Sequence, residues 1–142
     1  AFAIIIVISQ KGDVGMNIED YAGLGFKHPM LAIAMTLFML SMAGVPPMAG
    51  FVGKFYIFSA AIKSGYIGLA IIGVINSVIS VYYYLRITVI MYMKEPVRDF
   101  HPLTISPLIV VAIAISVIGT LHLGIFPSKV MEIAQRAILT LR

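Results

Sequence analysis

One lysine carries most of the chemistry this sequence offers. Lys54 stands in the stretch 41–56, S-M-A-G-V-P-P-M-A-G-F-V-G-K-F-Y, inside an apolar run over 29–62. No acid lies between residues 29 and 54, and the neighbours of Lys54 on both sides are apolar or aromatic. An ammonium deep in a bilayer costs between ~2.5 and ~17 kcal/mol, depending on how far it snorkels, so such a residue is a functional candidate by default. Withdrawal from water favours the neutral amine, and a group poised between its two forms can take up and release a proton. The competing reading is a helix-end lysine whose ammonium snorkels to the headgroups.

The residues before Lys54 specify its setting. Pro46 and Pro47 remove two backbone donors in succession, and each ring clashes with the carbonyl four residues back, so no unbroken α-helix passes through them. Gly44 and Gly50 flank the pair. Broken helices at membrane depth persist only where protein or a water-filled cavity surrounds the break. A break and a lysine within two helical turns therefore predict a polar cavity in a helical membrane protein. The carbonyls and amides freed near 44–50 can bind water, and Gly50 and Gly53 leave room beside the lysine. Tyr56 is a candidate hydrogen-bond partner, with plain packing as its alternative. Asn76 and Ser80 stand four apart and share a helical face. They form either a stripe along a hydrated path or interhelical contacts worth ~0.6 kcal/mol each.

Composition supplies the frame. Hydrophobic residues make up 61% of the 142 and charged residues 11%, where a soluble domain carries about 25% charged; mean hydropathy is +1.03. This is the composition of a membrane protein. Without cysteine, disulfides and thiolate metal sites do not arise. The net charge of +4 is scattered along the loops, which suits interfacial anchoring in a lipid bilayer and not nucleic-acid binding. No nucleotide loop, metal-ligand cluster or nucleophile–base pair is present in the sequence.

The expected fold is all-α: a polytopic transmembrane bundle with one broken helix and a C-terminal amphipathic helix. The apolar run over 1–9 is too short to span, since a crossing needs ~20 residues, and reads as the end of a truncated span of a larger polytopic protein. A polar, glycine-rich loop over 9–28 follows, with a helical turn expected near Asn17–Tyr21. The broken segment covers 29–63, opening on Pro29, where a missing N–H costs nothing. It reads as one interrupted crossing, because a hairpin at Pro46 and Pro47 leaves halves of ~15 residues, below the ~17 minimum. Further spans are expected over 66–93 and 105–126. Tyr82, Tyr83, Tyr84 and Tyr92, near Arg86 and Lys94, resemble an interfacial aromatic belt. His101 reads as a solvated loop histidine and His122 as an interfacial residue. Over 128–141, Val130, Ile133, Ala134, Ala137 and Leu141 fall opposite Lys129, Glu132, Gln135 and Arg136, an amphipathic pattern suited to a membrane surface or a partner. Positive charge is balanced between the two sides, so the charge rule does not orient the chain.

The run from His28 through G-V-P-P-M-A-G-F-V-G-K-F-Y, and then N-S-V-I-S-V-Y-Y-Y-L-R, resembles the antiporter-like membrane subunits of proton-pumping NADH–quinone oxidoreductase, respiratory complex I, and among them the subunit N type. The likeness extends from His28 to the C-terminus. It implies the last three of about fourteen spans, with the N-terminal helices of the same subunit missing from this sequence. It also implies that Lys54 is the terminal proton relay of a hydrophilic axis, and that the C-terminus faces the periplasm. The implied partners are the other membrane subunits of the complex, and the implied location is a bacterial inner membrane more readily than an organellar one. The resemblance places NADH, FMN, iron–sulfur clusters and quinone elsewhere in the complex, with no cofactor or metal bound here. Two other readings stay open: a subunit of a multisubunit cation/proton antiporter, and a structural membrane subunit in which Lys54 only pairs with a buried acid.

Overall fold

The computed structural model describes residues 1–9, 17–96 and 105–140. His101 and Leu141, on which a loop and a helix-end expectation rested, lie outside these residues. Within them the chain is helical and forms no strand. The elements are α1 (Phe2–Ile8), a 3-10 turn (Ile18–Tyr21), α2 (Leu24–Lys27), α3 (Pro29–Ala43), α4 (Ala49–Lys63), α5 (Ile67–Met93), α6 (Pro107–Ile125) and α7 (Ser128–Thr140).

Local chemistry sets these boundaries. Pro29 and Pro107 occupy the first turns of α3 and α6, where a missing amide is harmless. That position of Pro107 starts α6 two residues later than the expected 105. The acids of the first loop stabilise its 3-10 turn: the Asn17 amide donates to the Asp20 carboxylate at 3.1 Å, half of a capping box. Gly65, at a φ of 84°, closes the turn between α4 and α5.

The core lies at one end of the bundle. Ile4 and Val7 of α1, Leu24 of α2, Leu31, Ala32 and Met35 of α3, and Met91 of α5 are buried together, with Ile113 of α6 beside them. Tyr21 packs into the same cluster, where burial, helped by the adjacent Asp20 carboxylate, pushes its phenol up. Lys94 meets Glu19 at 3.5 Å across the two loops; both are exposed, so the pair contributes little.

Outside this cluster, apolar side chains are exposed over much of the surface. No residue of α4 is buried, and Ile57, Ile72, Ile79 and Ile115 are all more than half exposed. Among the described helices, α5 and α6 are long and apolar enough to cross a membrane, whereas α3 is a shorter apolar helix. Three hydroxyls on the apolar helices bond within their own helix: Thr36 to the Ala32 carbonyl, Ser116 to Ala112 and Thr120 to Ser116, each at 2.8 Å. That local bonding suits an environment without water.

The helix α5 explains how α3 and α4 relate. Near its start, Gly73 lies against the Phe58 ring of α4; near its end, Met91 and Tyr92 lie against Gly25, just ahead of α3. So α5 runs antiparallel to both, flanking α4 with its first half and α3 with its second. The two short helices follow one another along it as the parts of one discontinuous helix. On the far side, α6 backs onto the break: a Cβ on Gly124 would collide with the Pro47 carbonyl and the Met48 backbone.

Candidate functional site

A helix that stops at depth must account for four carbonyls, and the next helix for four amides. Here α3 ends at Leu40, Ser41, Met42 and Ala43. Gly44, at a φ of 91°, turns the chain left-handed. Its amide donates to the Leu40 and Ser41 carbonyls at 3.1 and 3.0 Å, and the Val45 amide to Leu40 at 3.1 Å. This is a Schellman cap, and it serves the first two carbonyls. The other two face Lys54: its Nζ donates to the Met42 carbonyl at 2.9 Å and to Ala43 at 3.1 Å.

Lys54 thus closes α3 from the other side of the break. A cation is favoured at a helix C-terminus, where the macrodipole is negative, and the carbonyls give the ammonium polar partners without a carboxylate. Its arm lies across Gly44: a Cβ there would stand 3.1 Å from the Lys54 Cδ and 3.3 Å from Nζ. Gly44 therefore answers two demands, the left-handed turn and the passage of the lysine. Pro46 and Pro47, joined by a cis bond, separate the halves. The Met48 carbonyl then receives the Phe51 and Val52 amides as α4 begins, and the Gly50 amide donates to Ser41 Oγ at 3.1 Å.

Beside Lys54 opens a cleft of about 360 Å³, lined by Ala43, Gly44, Phe51, Phe55, Phe58, Val74, Ser77, Val78 and Val81. Its walls are mostly apolar, unlike the polar cavity expected from the sequence. The break satisfies its own carbonyls, leaving Lys54 and Ser77 as the polar side chains at the cleft. Of the residues singled out in the sequence, the structure brings together Lys54, Gly44, Gly50 and the proline pair. Tyr56, Asn76 and Ser80 do not line the cleft. Helical geometry gives the reason: α5 faces Lys54 through 74, 77, 78 and 81, and Asn76 lies about 200° round the helix from Val78. Tyr56 and Asn76 are exposed, and Ser80 Oγ donates to the Ser77 carbonyl at 2.7 Å. Gly53 faces open space, whereas a Cβ on Gly50 would run into the Ser41 carbonyl.

Two participants were not predicted, Ser41 and Ser77. Ser77 shares a helical face with Val74, Val78 and Val81 by spacing, but nothing in the sequence marks that face as the one that meets α4. Among the described residues, no group of three His, Cys, Asp or Glu side chains could hold a metal ion. His122, in the last turn of α6, lies beside the Phe126 ring, tilted at 41° with ring centroids 5.6 Å apart.

Residues 1–80 match the profile of a family described as NADH:quinone oxidoreductase/Mrp antiporter, transmembrane. The chain is 51% identical over 138 residues to NADH-quinone oxidoreductase subunit N of Trichlorobacter lovleyi, and 48% identical over 137 residues to the subunit of the same name in Paramagnetospirillum magneticum. These alignments cover 97% and 96% of this chain but 28% of each relative, so the chain spans little more than a quarter of their length. Among solved structures, one of respiratory complex I from Thermus thermophilus with bound aureothin superposes with a TM-score of 0.70 at 33% identity, over 78% of this chain and 26% of that one.

Proposed function

The chain belongs to the NADH:quinone oxidoreductase/Mrp antiporter transmembrane family, and on that premise we propose that it forms the C-terminal part of a membrane subunit that translocates protons, with Lys54 as the relay. In this reading the subunit is part of a respiratory NADH–quinone oxidoreductase of a bacterial inner membrane, as the names and sources of its relatives suggest. It takes no part in electron transfer; NADH, FMN, iron–sulfur clusters and quinone belong to other subunits. Its partners are the neighbouring membrane subunits and the lipid.

The observation that carries this reading is the docking of the Lys54 ammonium on the Met42 and Ala43 carbonyls. Carbonyls at a helix C-terminus hold a cation without neutralising it by a full negative charge. An ammonium bound only to neutral carbonyls can be released by a modest change in nearby charge, whereas a carboxylate partner holds far harder. On release, the arm swings past Gly44 toward the apolar cleft that it borders. The proton passes to water on one side of the break, and the amine is reloaded from the other. In this scheme α3 and α4 cross the membrane as one interrupted span, which sets the break at depth.

The test is proton pumping by the complete complex in vesicles. With Lys54→Ala, the complex should assemble and oxidise NADH while pumping fewer protons per NADH; with Lys54→Arg, whose group stays charged, the same loss is expected. Undiminished pumping removes the relay, and failure to assemble favours a structural role. Mrp-type antiport is the second reading, since the family description spans both. Purification of the subunit free of any redox subunit would favour it.

A further inference from the structure

We propose that Ser41 is a positioning residue for Lys54: its hydroxyl pins the first turn of α4 to the last turn of α3 and thereby sets the ammonium on its carbonyls. This rests on the proton-relay reading above. The opening amides of a helix need acceptors, and a Ser, Thr, Asp or Asn just before the first turn ordinarily supplies one. Met48 holds that position in α4 and makes no side-chain cap. The acceptor comes from the other half-helix, as the Gly50 amide donates to Ser41 Oγ at 3.1 Å.

Three features set this contact apart from ordinary packing. Ser41 is 9% exposed, a buried polar residue at an otherwise apolar junction. Thr36, Ser116 and Thr120 turn their hydroxyls to carbonyls of their own helices, whereas the Ser41 oxygen receives an amide across the break. Gly50 admits the contact because any Cβ there would strike the Ser41 backbone. Gly50 and Lys54 are four residues apart and share a face of α4, so the pin sits one turn from the lysine. If the hydroxyl is lost, the Gly50 amide is orphaned and α4 drifts from the α3 terminus. A lost N-cap bond changes such an equilibrium about fivefold, so the docking constant of Lys54 should fall by about that factor.

The experiment compares Ser41→Ala, Ser41→Thr and Ser41→Val in the full-length subunit within its complex, reading assembly, NADH oxidation and protons pumped per NADH, with Lys54→Ala alongside. Thr and Val share a shape and differ in the hydroxyl, so that pair isolates the hydrogen bond from packing. The expected result is normal assembly for all three, pumping retained with Thr, and pumping reduced severalfold with Ala and Val. A Thr variant as impaired as Val, an Ala variant that pumps normally, or an Ala variant that does not assemble overturns the pin. Loss of pumping in Lys54→Ala with normal pumping in Ser41→Ala rejects the pin and leaves the relay standing; full pumping in Lys54→Ala removes the relay, and the pin with it.

Discussion

Gly44 and Lys54 share one small volume, and neither tolerates much change in the other. A side chain at Gly44 meets two costs: the left-handed backbone, about 1–2 kcal/mol for an ordinary residue, and a contact 3.1 Å from the Lys54 Cδ. Gly44→Ala should therefore lower the temperature at which the assembled complex loses its integrity and, in the same variant, reduce pumping by displacing the lysine arm. Gly53→Ala, which meets open space, should do neither, as thermal inactivation of the two variants side by side would show. Lys54 and the proline pair were legible in the sequence because each violates a rule for apolar helices. Ser41 was not. A serine in such a helix ordinarily bonds its own preceding turn, and a partner nine residues on, across a break, follows from no helical period.

Among the elements, the discontinuous helix and α6 interlock through backbone rather than side chains. A Cβ on Gly124 would collide with the Pro47 carbonyl and the Met48 backbone, which have no rotamer to yield; a Cβ on Gly73 would meet the Phe58 ring, which can turn aside. Gly124→Ala should accordingly cost several times more assembled complex than Gly73→Ala, measured as membrane-extracted complex on a native gel. Proline and glycine punctuation made the helices readable: α5 begins at Ile67 and α6 at Pro107, within two residues of the expected 66 and 105. What periodicity could not give was which face of α5 meets Lys54. Asn76 and Ser80 share a polar stripe by spacing alone, yet Val74, Ser77, Val78 and Val81 line the cleft, because packing against Phe51, Phe55 and Phe58 selects the rotation of that helix.

Across the described residues, one buried cluster joins α1, α2, α3 and the end of α5, while large apolar side chains, Phe2, Met30, Met93 and Leu108 among them, are exposed over much of the surface. That distribution is unfavourable in water and favourable in lipid or against further helices. It predicts an inverted response to charge. Ile79, 53% exposed and near the middle of α5, would accept lysine at little cost in a water-soluble protein; here Ile79→Lys should oppose membrane insertion by roughly 2.5–3.5 kcal/mol, readable in a glycosylation-mapping assay of α5. Membrane class followed from composition alone. The packed cluster did not, since α1 and α3 are apolar all round and periodicity gives such helices no preferred face.

The most direct measurement is a density map of the complete complex in lipid, resolved well enough to place the Lys54 side chain. The account predicts an interrupted helix at Pro46 and Pro47, with Nζ about 3 Å from the Met42 and Ala43 carbonyls in at least one state. A helix that winds on through the prolines, with Nζ extended to the headgroups in every state, would contradict it.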